Sequence, residues 1–210
     1  MFNQNKILLT GGKGFIGRNI LEILGKRYEF LAPTKDELDL GDGDVVYRYL
    51  EKNRPDVIIH AALAGEFGKE KEKGIGTIFG NNLRFFFNLI RAKKFYKKMI
   101  FFSSGAQYDK KRDLKKVKEA DFSQSIPSDE YGFYKYICCE YIEKIENIIC
   151  LTLFGLYGKY EDYKFKFISN AIVKNLLKQE IVINQNVIFD YLFIEDLMPV
   201  LDYFILNKPK

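Results

Sequence analysis

Short apolar runs alternate along the chain with longer stretches in which apolar residues recur every three or four positions. Lys6 to Thr10 is almost wholly apolar and predicts a strand hidden on both faces; a glycine turn then leads into an amphipathic helix from Phe15 to Lys26. The pattern repeats, with Glu29 to Ala32 as a second strand, Val45 to Asn53 as a second helix, and Val57 to His60 as a third strand behind Pro55-Asp56. After a glycine-rich stretch come a long helix over Ile78 to Phe95, a strand over Met99 to Ser103, a helix over Tyr131 to Ile145 and a strand over Ile148 to Phe154. This alternation predicts an α/β fold, a Rossmann-like doubly wound parallel sheet covered by helices. Beyond Tyr157 the texture changes. Phe165 to Lys178 predicts a helix, Glu180 to Ile183 and Ile188 to Phe193 short strands, and Ile194 to Leu206 a closing helix.

Composition narrows the picture. The chain has 210 residues, 47% hydrophobic and 29% charged, the balance of one globular core. No run approaches the roughly 18 uncharged apolar residues of a membrane span, and the first residues lack a signal-peptide cleavage pattern, so a cytoplasmic protein without membrane attachment is expected. Cys138, Cys139 and Cys150 have no metal-ligand spacing, which predicts neither a metal site nor a disulfide framework. The net charge of +5 is too mild to imply nucleic acid. Lys110 to Lys118 reads as a solvated loop or a guide for an anionic substrate, and Phe85-Phe86-Phe87 as core or interface rather than a platform for bases.

The first strand runs into Thr10-Gly11-Gly12-Lys13-Gly14-Phe15-Ile16-Gly17. Glycines at 11, 14 and 17 serve a tight turn, a close backbone approach to a pyrophosphate, and packing of helix on strand; the helix N-terminus faces the anion. Lys13 is followed by Gly14 and not by Ser or Thr, which excludes a P-loop. The second strand ends in Ala32-Pro33-Thr34-Lys35, with no acid at its tip for a ribose 2′-hydroxyl. Lys13 and Lys35 face a 2′-phosphate in this reading, so NADP is favoured and NAD, with Asp36 close by, is the alternative.

Tyr-x-x-x-Lys places two side chains one helical turn apart. It occurs at Tyr131/Lys135 and at Tyr160/Lys164, and among 14 tyrosines in a lysine-rich chain the spacing alone decides nothing. Position does. Tyr131/Lys135 opens the helix after the fourth strand, which ends in Ser103-Ser104, and strand C-termini face the crevice of such a sheet. The ammonium is expected to lower the phenol pKa from about 10, and Tyr131 to exchange a proton with a sugar oxygen. His60, the single histidine, reads as a wall of the cofactor pocket.

These residues resemble the extended short-chain dehydrogenase/reductase superfamily, the NAD(P)-dependent epimerase/dehydratase group of nucleotide-sugar enzymes. The resemblance runs from Lys6 to about Phe204. It rests on the glycine turn, Asp39-Leu40, Pro55 to Ala62, Asn82, Ser103-Ser104 with Tyr108, Tyr131 to Lys135 with Glu140, Phe154 to Gly158, and Asp190 to Leu197. It implies a catalytic Ser104, Tyr131 and Lys135, with Lys135 also holding the nicotinamide ribose and Asn82 supporting the proton relay. Gly11, Lys13, Gly14, Phe15, Ile16, Gly17 and Lys35 fall at the cofactor, Ala61 and Ala62 line its site, and Asp39 and Leu40 approach the adenine. Lys35 to Leu40 is most similar to branches that reduce 4-keto sugars with NADPH.

The chain departs from the family pattern at Phe189 and Thr152, where an Arg is usual, and at Lys159, where a Pro is usual. Members also continue well past the position of Lys210, so a shortened or partial substrate-binding part is expected. The organisation expected is a dinucleotide-binding domain over 1–156 and a partial substrate-binding region over 157–210. The function expected is NADP(H)-dependent reduction, or epimerisation with reduction, of a nucleotide-diphospho-sugar by a homodimer. An NAD-dependent 4-epimerase or 4,6-dehydratase and a dinucleotide-binding module without turnover are the alternatives.

Overall fold

Ile7, Leu8 and Leu9 on one strand and Ile58 and Ile59 on another expose no surface at all, which is why these runs show no polar alternation. The computed structural model describes residues 5–65, 78–112 and 114–207. Its main sheet contains β1 (Lys6–Thr10), β2 (Glu29–Leu31), β3 (Val57–His60), β4 (Lys98–Ser104) and β5 (Ile148–Leu153), all parallel, in the order β2-β1-β3-β4-β5. β2 lies on one side of β1 and the later strands run out on the other. That reversal opens a crevice at the carboxyl ends of β1 and β3, where Thr10 and His60 stand side by side.

The helices are α1 (Phe15–Leu24), α2 (Gly43–Asn53), α3 (Ile78–Arg91), α4 (Glu130–Ile142), α5 (Phe167–Leu176) and α6 (Ile194–Leu206). Strand side chains alternate between two cores. Leu8, Ile58 and Phe101 meet Leu50 of α2, Phe86 and Leu89 of α3, and Tyr134 and Cys138 of α4. Ile7, Leu9 and Ile59 meet Ile20 of α1 and Leu197, Leu201 and Ile205 of α6 on the opposite face. The doubly wound Rossmann-like fold is thus the one the periodicity predicts, and α6 completes its second layer. Side-chain caps set two helix starts: Asp42 accepts from the backbone of Asp44 and Val45 at α2, and Asp129 from Gly132 at α4.

Three predicted elements differ. The long third helix ends at Arg91, and Lys93–Phe95 forms a separate 3-10 turn. A 3-10 turn over Gly105–Tyr108, unforeseen, follows β4 and is capped by Ser104. Of the strands expected within 180–193 only β7 (Leu192–Phe193) forms, in parallel with β6 (Leu156–Tyr157). The apolar residues before it lie open, Ile188 at 91% exposure, because no neighbouring strand supplies a ladder for them. Among the described residues no helix is long and apolar enough to cross a membrane.

Candidate active site

Each glycine of the first turn answers a different steric demand. Gly11 sits at φ +74°, and a Cβ there would lie 2.7 Å from the Ala61 and Ala62 backbone, so the turn after β1 touches the loop after β3. Gly14 returns its N–H to the Gly11 carbonyl at 3.0 Å and starts α1. A Cβ on Gly17 would stand 2.3 Å from that same carbonyl oxygen, which locks α1 against the turn. No side chain caps α1 and no acid occupies its first turn, which suits an approaching anion.

A cleft of about 650 Å³ opens there. Gly11 to Lys13 form one wall and Ala62 to Gly65 the other; Thr34, Lys35, Asp39 and Leu40 bound the far end, and α3 adds Asn81 and Phe85. The structure therefore gathers Gly11, Lys13, Lys35, Asp39, Leu40 and Ala62 around one cavity, with Ala61 packed behind Gly11. Gly14 and Gly17 shape the turn without lining the cavity, and Phe15 and Ile16 pack toward the core that α1 shares with α6. The cavity carries two lysines, Lys13 on one wall and Lys35 at the far end, while its nearest carboxylates are engaged locally: Asp39 accepts from the Gly41 N–H at 2.8 Å and Glu37 from the Thr34 N–H at 2.7 Å. Asn82, fully buried on α3, accepts from the Ala64 N–H at 2.8 Å and donates to the Ala64 carbonyl at 3.0 Å, clasping the cleft's second wall.

Ser104 ends β4, next to the strand that feeds this wall, and its hydroxyl bonds the phenol of Tyr131 in the first turn of α4. One turn on, Lys135 is buried; its ammonium donates to the Phe102 carbonyl at 2.5 Å and lies 5.6 Å from the Tyr131 ring centre. Burial lowers the Lys135 pKa to about 8, partly opposed by the neighbouring cysteines. The expected lowering of the Tyr131 phenol is not found. Burial raises it, outweighing the Ser104 hydrogen bond that pulls it down.

His60 also departs from expectation. It stands behind the cleft wall rather than in it, with Nδ1 at 2.8 Å from the Thr10 hydroxyl, and burial lowers its pKa to about 3, so it is neutral. Thr10 in turn accepts from the Ala62 N–H at 3.3 Å. Thr34, Gly41, Asn81 and Phe85 are cleft residues that sequence reasoning missed. The first two follow a recognisable strand end; the last two sit in a helix whose periodicity says only that one face is buried.

Tyr160, of the second Tyr/Lys pair, is engaged on the surface of α1. Tyr160 donates to Glu22 of α1 at 2.6 Å and lies under Arg18, 3.6 Å from ring centre to guanidinium carbon. Lys159 pairs with the same Glu22 at 2.5 Å, so the lysine at the family's proline position latches this loop to α1.

Over residues 7–210 the sequence matches the NAD dependent epimerase/dehydratase family. The chain belongs to that family. The extended short-chain dehydrogenase/reductase resemblance is thereby established. Within the family, GDP-L-colitose synthase of Yersinia pseudotuberculosis is 28% identical over 228 residues, covering 98% of this chain and 73% of its own length. GDP-L-fucose synthase of Azorhizobium caulinodans is also 28% identical, over 78% of this chain and 55% of its own length. The chain thus spans between about half and three quarters of these relatives. Among solved structures, a GDP-6-OMe-4-keto-L-xylo-heptose reductase from Campylobacter jejuni superimposes with a TM-score of 0.77 at 21% identity, over 99% of this chain and 74% of its own. A GDP-L-fucose synthetase from Naegleria fowleri bound to NADP gives 0.75 at 19%, over 98% and 74%. At such identities these two structures speak for the fold.

Proposed function

We propose that this family member is an NADP(H)-dependent oxidoreductase acting on a nucleotide-diphospho-sugar, as a 4-keto-sugar reductase or epimerase-reductase, working in the cytoplasm as a homodimer. The observation that carries the reading is the set of Ser104 at the end of β4 with Tyr131 and Lys135 on α4, in a fold whose glycine turn after β1 builds a cleft; none of the three lines that cleft itself. The relatives named as GDP-sugar synthases, and the neighbours named as a sugar reductase and as NADP-bound, support it.

The residues present fit a dinucleotide. The turn has no room for a Cβ at Gly11 or Gly17, and the α1 N-terminus lies open to a pyrophosphate. Lys13 and Lys35 would hold a 2′-phosphate, Asp39 and Leu40 would border the adenine, and Lys135 would hold the nicotinamide ribose. When bound, the nicotinamide supplies hydride chemistry at the sugar carbon. Tyr131 acts as general acid at the sugar oxygen, the burial that raises its pKa keeping the proton on it until transfer, and Ser104 hydrogen-bonds that oxygen. Residues 157–210 would form the part of the sugar-nucleotide pocket that this chain provides. The smaller cavity of about 220 Å³ between Gly155, Glu161 and Phe189 lies in that region.

Calorimetric titration with NADPH and with NADH, after a check for copurified dinucleotide, tests the proposal. Tight binding of NADPH alone is expected. A preference for NADH, or retained NAD, would replace it with an epimerase or dehydratase that recycles its cofactor; no binding of either would overturn the enzyme reading.

A further inference from the structure

Three cysteines without a sequence pattern acquire one in space. Cys139 lies on α4, one turn beyond Lys135, and Cys150 lies on β5 opposite Phe101 of β4; their sulfurs are 3.2 Å apart. Cys139 is also 3.1 Å from the Ser103 hydroxyl and 3.0 Å from the Gln107 side-chain oxygen, which are hydrogen-bonded to each other. Its single proton thus has three acceptors within reach. The other thiol leans toward the thiolate: the Cys139 hydrogen bond lowers the Cys150 pKa against the effect of burial, helped by the Thr152 hydroxyl and the Lys135 charge. Cys138, adjacent in sequence, is buried in the core, and its pKa is raised by that burial.

We infer that Cys139 and Cys150 are an oxidation site, a resident dithiol that a hydroperoxide converts into a disulfide joining α4 to β5. Cys150 is only partly buried and presents the more nucleophilic sulfur. The Cys150 thiol gives up its proton, its thiolate attacks one oxygen of hydrogen peroxide, the O–O bond breaks to leave a sulfenic acid, and the departing hydroxide takes up that proton as one water. The Cys139 sulfur then attacks the sulfenic sulfur, the S–S bond forms, and the hydroxide leaves with the thiol proton as a second water. Two thiols lose two electrons, and one peroxide becomes two waters. The sulfurs need to close by only about 1 Å to reach the S–S bond length of about 2.05 Å. Closure takes Cys139 away from Ser103, the residue before Ser104, and ties the turn of α4 after Lys135 to the sheet.

The test uses the purified whole chain and hydrogen peroxide. Thiol titration after denaturation is expected to fall from three groups to one and to recover with a dithiol reductant. Tryptic peptides 136–144 and 145–159 should run as one linked species without reduction, and fragmentation between the adjacent cysteines should place the link on Cys139. A Cys138→Ser variant should still form the link, and the wild-type map decides alone if that variant fails to fold. Three surviving thiols, a link through Cys138, or sulfinic acid on either residue without a link would each overturn the assignment.

Discussion

Lys135 carries a charge where the protein offers it little solvent, and that has a measurable thermodynamic signature. Its pKa is about 8 in the folded chain against 10.5 for a free lysine, because burial disfavours the ammonium. The folded state therefore binds fewer protons than the unfolded state between those values, and stability rises with pH across that window. The penalty is fully present below about pH 8 and amounts to on the order of 3 kcal/mol. Denaturant titrations at pH 7.5 and pH 10 should show a more favourable change in stability with rising pH for wild type than for Lys135→Met, and an equal change would mean that Lys135 is not held charged at a cost. Chemistry at the same site is tested by Tyr131→Phe. Turnover should drop by about 10²- to 10⁴-fold with dinucleotide affinity nearly unchanged, and an equal loss of binding would remove Tyr131 from the acid's role. The sequence exposed Ser104, Tyr131 and Lys135 because their position after a strand was readable. It hid the Thr10–His60 pair, since a hydrogen bond between two strand ends depends on register, and it hid the rise in the Tyr131 pKa, since burial is a property of the packed fold.

Among elements, the β1–α1 junction is the most constrained. In Gly17→Ala the new methyl would meet the Gly11 carbonyl at 2.3 Å, and backbone cannot swing aside as a side chain can. We expect a loss of about 1–3 kcal/mol or more by denaturant melting, with dinucleotide binding weakened beyond what the stability loss explains. Unchanged binding would mean the turn does not shape the site. Elements whose apolar pattern is fulfilled by the sheet, β1, β3 and β4 above all, were legible to within a residue or two. The stretch 180–191 was not, because alternation of apolar residues describes a strand only when another strand lies alongside. The short turns at Lys93–Phe95 and Gly105–Tyr108 escaped for the opposite reason, being too brief to carry any period.

At the scale of the molecule, apolar surface is distributed unevenly. α6 is sunk into the core, with Ile194 and Leu201 fully hidden, and Asp202 anchors it through Tyr28 at 2.5 Å and Arg27 at 2.8 Å. α5 has no buried residue, and its last residue, Leu176, is 74% exposed. Hydrogen exchange should therefore be fast across 167–191 and slow across α6 and the central strands; equal protection would mean that surface is covered in solution. α3 and α4 expose part of Phe87 over Tyr141, 5.0 Å between ring centres; a homodimer joined through these two helices is the arrangement expected, and light scattering tests it. A monomer would sink that arrangement.

The latch at Glu22 has a consequence for how α1 and the loop after β6 move together. One carboxylate on α1 receives both Lys159 and Tyr160, and Arg18 on the same helix roofs the tyrosine ring. The loop that follows β6 is thus hung from the helix that starts at the glycine turn. Any tilt of α1 is therefore carried, through a single surface carboxylate, to that loop.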